Sequence, residues 1–338
     1  MATGRDVAQL AGTSTAVVSY VFNNGPRNVS PATRERVLAA AAELNYRPNA
    51  LARALSFGRT STIGLIVPDI ANPYFGELAR ALEDAAMERG ELLLIGDSSL
   101  DPERERRHIA AFVERRVDSV VMVSLLDEPD FTAFAQASIP VIALHPIADD
   151  APAASLTIDY ELAARTAAAH LVAHGFDSIG LLNGPAHSVG AGQHRRGFEA
   201  ALGEAGRELR HDERNSGTSR ADASAVSLRW LAEPDRPRAI TCATDEQAYG
   251  VLHAAYLLGL RVPEDLAVIG FDGTEHSEYA VPPLTTVRQP IRAIAARAIE
   301  LVVGAADADD ADGERFDRVR ELAGHELIVR ASCGCARD

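Results

Sequence analysis

The 338-residue chain contains no lysine, so all 33 of its basic residues are arginine. That absence removes chemistry that depends on an amine, such as Walker-A phosphate binding and Schiff-base or pyridoxal catalysis. Cysteine is almost as scarce, at three residues, too few for a disulfide framework. No run of about 18 apolar residues occurs, so no membrane-spanning helix is expected. The opening residues, Met1-Ala2-Thr3-Gly4-Arg5-Asp6, lack the charged and apolar regions of an export signal, and the expected location is the cytoplasm.

What is present is acid, unevenly spread. The net charge is −15. Residues 1–60 nevertheless hold seven arginines (5, 27, 34, 36, 47, 53, 59) against Asp6, Glu35 and Glu43, a local charge of +4. The other 26 arginines and 45 acidic residues leave −19 for the rest. A basic head on an acidic body suits a protein whose head alone meets phosphates, although an excess of this size also arises by chance. The length exceeds one ordinary core and fits two or three domains.

Residues 3–45 read as three short helices. Thr3 with Asp6 forms a variant capping box, and Val7, Leu10 and Ala11 follow it before a stop at Gly12. Ser14 can cap a second helix whose Val18, Val21 and Phe22 share a face. Ser30-Pro31 is a cap followed by proline at the first helical position, with Val37, Leu38, Ala41 and Leu44 as the expected buried face. The short turn between the first two helices has helix-turn-helix spacing. Residues 49–55 form a short Ala/Leu segment, marginal as a free helix and readable as a linker that needs a partner. From residue 63 onward apolar strands alternate with amphipathic helices. Strands are expected at 63–67, 92–95, 119–123 and 141–144, then at 156–158, 178–182, 239–242 and 267–270, with a last one near 326–329. Two parallel α/β lobes follow from that alternation.

Five segments carry a resemblance: DVAQLAGTS (6–14), VSYVFNN (18–24), SPATRERVLAAAAELNYRPNALARAL (30–55), TIGLIVPDIANPYF (62–75) and VPEDLAVIGFDGTEHSEYAVPPLTTVRQP (262–290). Together, and in this order, they resemble the lactose and purine repressor family of bacterial transcription regulators. The resemblance implies a small all-α helix-turn-helix head, joined by a hinge helix to an α/β two-lobed periplasmic-binding-protein-like domain. It implies a division into a DNA-binding head at 1–47, a hinge and linker at 48–60, and an effector-binding and dimerisation domain at 61–338. Within that domain the first lobe is expected at about 61–157 plus 289–318 and the second at about 158–288 plus 319–338. The function implied is allosteric repression. A homodimer would bind a roughly palindromic double-stranded operator, and a sugar-like or nucleobase-like effector between the lobes would control it. No cofactor, metal or membrane partner is expected.

The site residues follow from the same matches. Thr15, Ala16 and Tyr20 match base-reading positions on the second helix, and Tyr20 stands where relatives often carry arginine or histidine. Asn49 and Leu55 are the expected hinge contacts to DNA, with Leu55 as the apolar wedge in the minor groove. Ligands of open α/β sheets bind at the carboxyl ends of strands. On that rule Asn72, Tyr74 and Phe75 after the first strand, with Asp159, Asp245 and Asp272, are the expected effector contacts. Helix capping is the competing reading of Asp159 and Asp245. Many relatives place an arginine shortly before the Gly-Phe found here at 197–198, but Gln193-His194-Arg195-Arg196 leaves the register open.

Three further signals fail. Gly190-Ala191-Gly192 has arginine at the third glycine of a dinucleotide fingerprint. The acidic run 307–317 has Ala308 and Val319 at the ends of any calcium loop. Cys333-Gly334-Cys335 offers two thiolates where zinc takes about four ligands, so an oxidisable tail is expected instead. A transporter's solute-binding protein is disfavoured by the head and the missing export signal. An enzyme is disfavoured by the lack of a nucleophile elbow, ligand cluster or lysine.

Overall fold

The computed structural model describes residues 2–23, 28–47, 58–126, 129–186, 188–206, 208–307 and 316–335. The chain forms two compact units, 1–60 and 61–338.

In the first unit, α1 (Gly4–Leu10) starts from a reciprocal cap. The Asp6 amide donates to Thr3 Oγ1 (3.4 Å), and the Thr3 amide donates to Asp6 Oδ2 (2.8 Å). Gly12, at a φ of +60°, turns the chain into α2 (Thr15–Asn23), where Ser14 Oγ accepts from the Val17 amide at 3.3 Å. Ser30 caps α3 (Pro31–Glu43) in the same way, with proline in its first turn. The core is Val7, Ala8, Ala11, Val18, Val21, Val37, Ala40 and Ala41, closed by an edge-to-face pair of Phe22 and Tyr46. Two expected core residues lie outside it: Leu10 is 47% exposed and Leu38 is 44% exposed. Ala8 and Ala40 take the inward positions, because three such short helices approach closely only where the facing side chains are small.

The second unit contains two six-stranded sheets. The first is built from β1 (Thr62–Val67), β2 (Leu92–Asp97), β3 (Ser119–Met122), β4 (Val141–Ala143), β5 (Ala154–Ile158) and β11 (Arg320–Ala323), in the order β11-β5-β4-β3-β1-β2 and all parallel. The second is built from β6 (Ser178–Asn183), β7 (Arg210–Asn215), β8 (Ala239–Cys242), β9 (Ala267–Asp272), β10 (Thr285–Arg288) and β12 (Glu326–Ile328). Its order is β12-β10-β9-β8-β6-β7, parallel except for β12. Helices α4 (Pro73–Glu88), α5 (Pro102–Arg115) and α6 (Thr132–Gln136) connect strands of the first sheet. Helices α7 (Tyr160–Ala173), α8 (Val189–Gly203), α9 (Arg220–Leu231), α10 (Asp245–Leu257) and α11 (His276–Tyr279) belong to the second. The central strands β6 and β9 are buried along their whole length, as parallel strands covered on both faces must be.

The chain passes between the sheets three times. It crosses at Asp159 after β5, returns at Gln289-Pro290 into α12 (Ile291–Asp307), which packs on α4, and crosses again between β11 and β12. The second-lobe span 319–338 therefore needs correction. Arg320–Ala323 pairs in parallel with β5, and the change of sheet comes only at Gly324-His325. Three strands, β7, β10 and β11, carried no signal. The sequence of β7, Arg-His-Asp-Glu-Arg-Asn, is tolerated because β7 is an edge strand with only one neighbour. No described helix is long and apolar enough to cross a membrane.

Candidate functional site

A cavity of about 150 Å3 lies between the two sheets of the second unit, at the carboxyl ends of their strands. One wall is built by the segment after β1. Asn72 caps α4 by accepting from the Tyr74 amide (3.0 Å), which sets Tyr74 and Phe75 into the cavity lining as an edge-to-face pair 5.2 Å apart. The opposite wall is Tyr160, the first residue of α7, stacked on Phe271 at the end of β9 (5.7 Å, 13°), with the edge of His194 against Phe271 at 4.6 Å. Aromatic faces thus come from both lobes.

Across this space runs a chain of hydrogen bonds. The Tyr74 hydroxyl donates to Gln289 Oε1 (3.1 Å), and Gln289 Nε2 donates to Asp272 Oδ1 (3.1 Å). Tyr74 belongs to the first lobe, Asp272 to the second, and Gln289 sits on a crossover between them. A second link joins the lobes where the Glu275 amide donates to Glu77 Oε1 (2.9 Å). Asp272 holds a φ of +116°, a conformation that L residues rarely adopt and that costs roughly 1–3 kcal/mol. Asp245 helps to hold the backbone that follows. Its carboxylate accepts from the Thr274 amide and hydroxyl (both 2.8 Å) and from the Thr286 hydroxyl (2.6 Å). Burial, and next the charge of Asp245, push the Asp272 carboxyl well above the ordinary carboxylate range. A bound hydrogen-bond donor or cation can therefore set its charge state.

His145 and His194 are both buried, and burial lowers each imidazole to about 4, so both are neutral at pH 7. The Ser124 amide donates to His145 Nδ1 (3.2 Å), which leaves the ring proton on Nε2. That Nε2 is buried without a partner among the described residues, and His145 lines the cavity. Asp272 is the one carboxylate in the described lining, and no arginine lines it.

Of the expected effector contacts, Asn72, Tyr74, Phe75 and Asp272 meet at this cavity, whereas Asp159 and Asp245 do not line it. Asp159 caps α7 by accepting from the Leu162 amide (2.9 Å), and Asp245 turns inward to the Thr274 and Thr286 groups. The open register before Gly197 is also resolved. Arg195 pairs with Glu213 (2.6 Å) and Arg196 with Glu161 (2.7 Å), and His194 is the one of the three that faces the cavity. Sequence reading missed His145, Tyr160, His194 and Gln289. His145 directly follows the expected strand 141–144, so the strand-end rule could have found it. Nothing linear marks His194.

In the first unit Thr15 and Ala16 are exposed at the start of α2, and Tyr20 is half-buried, while Val18 and Val21 point into the core. Asn49 and Leu55 lie outside the described residues.

Comparison with known proteins agrees with both units. Residues 3–49 match the family model for bacterial regulatory proteins of the lacI family, and residues 168–333 match that for a periplasmic binding protein-like domain. Catabolite control protein A of Priestia megaterium is 36% identical over 300 residues, covering 88% of this chain and 90% of that protein. The HTH-type transcriptional repressor PurR of Photobacterium profundum is 34% identical over 339 residues, 98% of each chain. The lac repressor dimer bound to operator and the anti-inducer ONPF superposes with a TM-score of 0.84 at 29% identity, covering 98% of this chain and 99% of that one. A complex of the transcriptional regulator CelR with cellobiose superposes with a TM-score of 0.70 at 28% identity, over 98% of this chain and 100% of that one. With helix-turn-helix head, paired sheets and full-length relatives in accord, the chain belongs to the lacI family of bacterial regulatory proteins and is a transcription regulator, not an enzyme.

Proposed function

We propose that this regulator represses transcription as a homodimer in the cytoplasm, one head per half-site of a roughly palindromic double-stranded operator, and that a small uncharged or cationic molecule in the cleft between the lobes sets its affinity for DNA. The observation that carries the reading is the Tyr74–Gln289–Asp272 chain, which ties the two lobes together through the cavity lining. A ligand that replaces or reinforces those bonds binds one lobe arrangement better than the other. Such a differential affinity is what shifts a two-state equilibrium, typically by about 1–3 kcal/mol.

The lining narrows the effector class. Aromatic faces suit a sugar ring or a nucleobase, and Asp272 and His145 Nε2 suit hydroxyl and ring nitrogen groups. A phosphate or carboxylate would find no arginine in the described lining and would face Asp272. Neutral sugars such as the cellobiose bound by CelR therefore fit better than sugar phosphates. In the head, Thr15, Ala16 and Tyr20 are assigned to base reading, and Asn49 and Leu55 to the hinge contacts with DNA.

The test begins with selection of bound sequences from random DNA in the presence and absence of pooled neutral sugars, nucleobases and sugar phosphates. Asp272→Ala is then compared with the parent. Release or strengthening of operator binding by a neutral compound is expected, and its affinity should fall about tenfold or more in the variant, as for a buried hydrogen bond left unmade. Effector-free operator binding should stay near parental. A response confined to sugar phosphates, or an unchanged affinity in Asp272→Ala, would overturn the cleft assignment.

A further inference from the structure

Away from the cleft, the fold brings together two sequence fragments more than 150 residues apart. His170 lies in the last turn of α7 and His174 is its carboxyl-terminal cap, so their spacing of four puts both imidazoles on one helix face. Against that face lies the tail after β12, a short 3-10 helix (Ala331–Cys333) followed by Gly334 and Cys335. The Nε2 of His170 is 3.3 Å from Cys333 Sγ and 3.6 Å from Cys335 Sγ, and the Nε2 of His174 is 3.0 Å from Cys335 Sγ. All four ligand atoms lie within 4.8 Å of one another.

We propose that His170, His174, Cys333 and Cys335 form a tetrahedral site for Zn(II) that staples the end of the chain to α7. In a Zn(II) tetrahedron with bonds of about 2.3 Å to sulfur and 2.0–2.1 Å to nitrogen, neighbouring ligand atoms lie about 3.3–3.8 Å apart. The observed sulfur–nitrogen separations already fall close to that range, so the ion needs only small side-chain movements. Two thiolates and two imidazoles are the donor set of a closed structural zinc site, and soft sulfur with imidazole disfavours magnesium or calcium.

The backbone is arranged for it. Gly334 holds a φ of +94°, which doubles the chain back so that the cysteines on either side of it present their sulfurs to the same helix end. Cys333 itself is fully buried and held in place. The Thr285 hydroxyl donates to its Sγ (3.1 Å), and the neighbouring Ser332 hydroxyl donates to the Val268 carbonyl (2.6 Å) in the second sheet. A hydroxyl donor on a ligating sulfur is the outer support that metal-bound thiolates commonly have. The charge balance is simple: one Zn(II) displaces one proton from each thiol, both protons go to solvent, and the occupied site is neutral. An unadorned oxidisable tail, the reading from sequence, overlooks the two histidines because they stand in a different part of the chain.

The test uses the full-length chain, kept reduced, stripped with a chelator and reloaded. One Zn(II) per chain is expected by elemental analysis. Co(II) substitution should give the strong visible bands of a tetrahedral centre together with thiolate-to-metal charge transfer. His174→Gln and Cys335→Ser, both at positions that are not fully buried, should each weaken metal binding at least tenfold while circular dichroism and operator binding show a folded chain. A fall of the charge-transfer intensity to about half in Cys335→Ser, with the band kept in His174→Gln, would place that sulfur on the metal beside Cys333. Octahedral Co(II) spectra, Zn(II) binding that both His174→Gln and Cys335→Ser leave unchanged, or uptake of Cu(I) without measurable Zn(II) affinity would each overturn the proposal.

Discussion

Tyr20 shows how one side chain carries a specificity prediction. Val18 and Val21 of the same helix are buried, while Tyr20 is half-buried and Thr15 and Ala16 are exposed. Tyrosine offers one hydroxyl and a ring, where arginine would offer a two-pronged donor to guanine worth about 1–3 kcal/mol of discrimination. Tyr20→Arg is expected to move the preferred base at one position of each half-site toward guanine, and Tyr20→Phe mainly to lower affinity. Binding measured for all four base pairs at each position decides it, and identical rankings for parent and arginine variant would make Tyr20 a backbone or packing residue. His194 carries a pH prediction. Its pKa is about 4 in the folded chain against an ordinary 6.5, so below pH 6.5 the unfolded chain binds the extra proton. Stability from this group is complete above 6.5 and is lost as the pH falls toward 4. His194→Phe keeps a ring against Phe271 and Tyr160 but cannot titrate. Between pH 7 and 5 the parent should lose up to about 2 kcal/mol more than the variant in urea denaturation. The comparison cancels the opposite contribution of Asp245 and Asp272, whose raised pKa values favour the folded state as pH falls. Parallel pH profiles would show that His194 is not held neutral.

At the scale of elements, the cleft depends on how closely α7 and α8 approach, since α7 begins at Tyr160 and α8 carries His194. Gly197 sets that approach. A Cβ there would fall 2.0 Å from the Glu161 carbonyl oxygen and 2.9 Å from the Arg165 amide, backbone atoms that cannot rotate away. Gly197→Ala should therefore separate the helices and cost about 1–3 kcal/mol or more. Gly203→Ala, at the end of the same helix with nothing within 4 Å, should be neutral or slightly stabilising. Denaturant midpoints of the two variants check the contrast, and equal midpoints would mean that the helices slide apart at little cost. The elements also show what a linear pattern conveys. Strands β1, β3, β6, β8 and β9 are covered on both faces, so they are continuous apolar runs and were legible. The charged edge strand β7 was not, because with one neighbour it needs little apolar surface.

At the scale of the whole molecule, the +4 head and −19 body make an electrostatic prediction that no single residue makes. If the head neutralises phosphates, the logarithm of operator affinity should fall linearly with the logarithm of salt concentration, with a slope of about −0.9 per phosphate contact. Titrations from low to physiological salt measure the slope, and an affinity that does not move would count against this mode of binding. An acidic body of this charge repels DNA rather than binding it.

The sequence by itself determined the helix starts of the head, the alternation of strands and helices, and the placing of Asn72, Tyr74, Phe75 and Asp272 at strand ends. Each rests on local chemistry: a capping side chain, a proline in a first turn, an apolar run long enough for a buried strand. Tertiary structure decided what depends on distant segments meeting. It placed Arg320–Ala323 beside β5, turned Asp245 toward Thr274 and Thr286, and sent Arg195 and Arg196 outward while His194 faced the cavity. It also joined His170 and His174 to a Cys-Gly-Cys tail across 163 and 161 residues. Hydrogen bonding and ion pairing act over a few ångströms whatever the separation along the chain, so the partner of a polar side chain is fixed by packing and not by its neighbours in sequence.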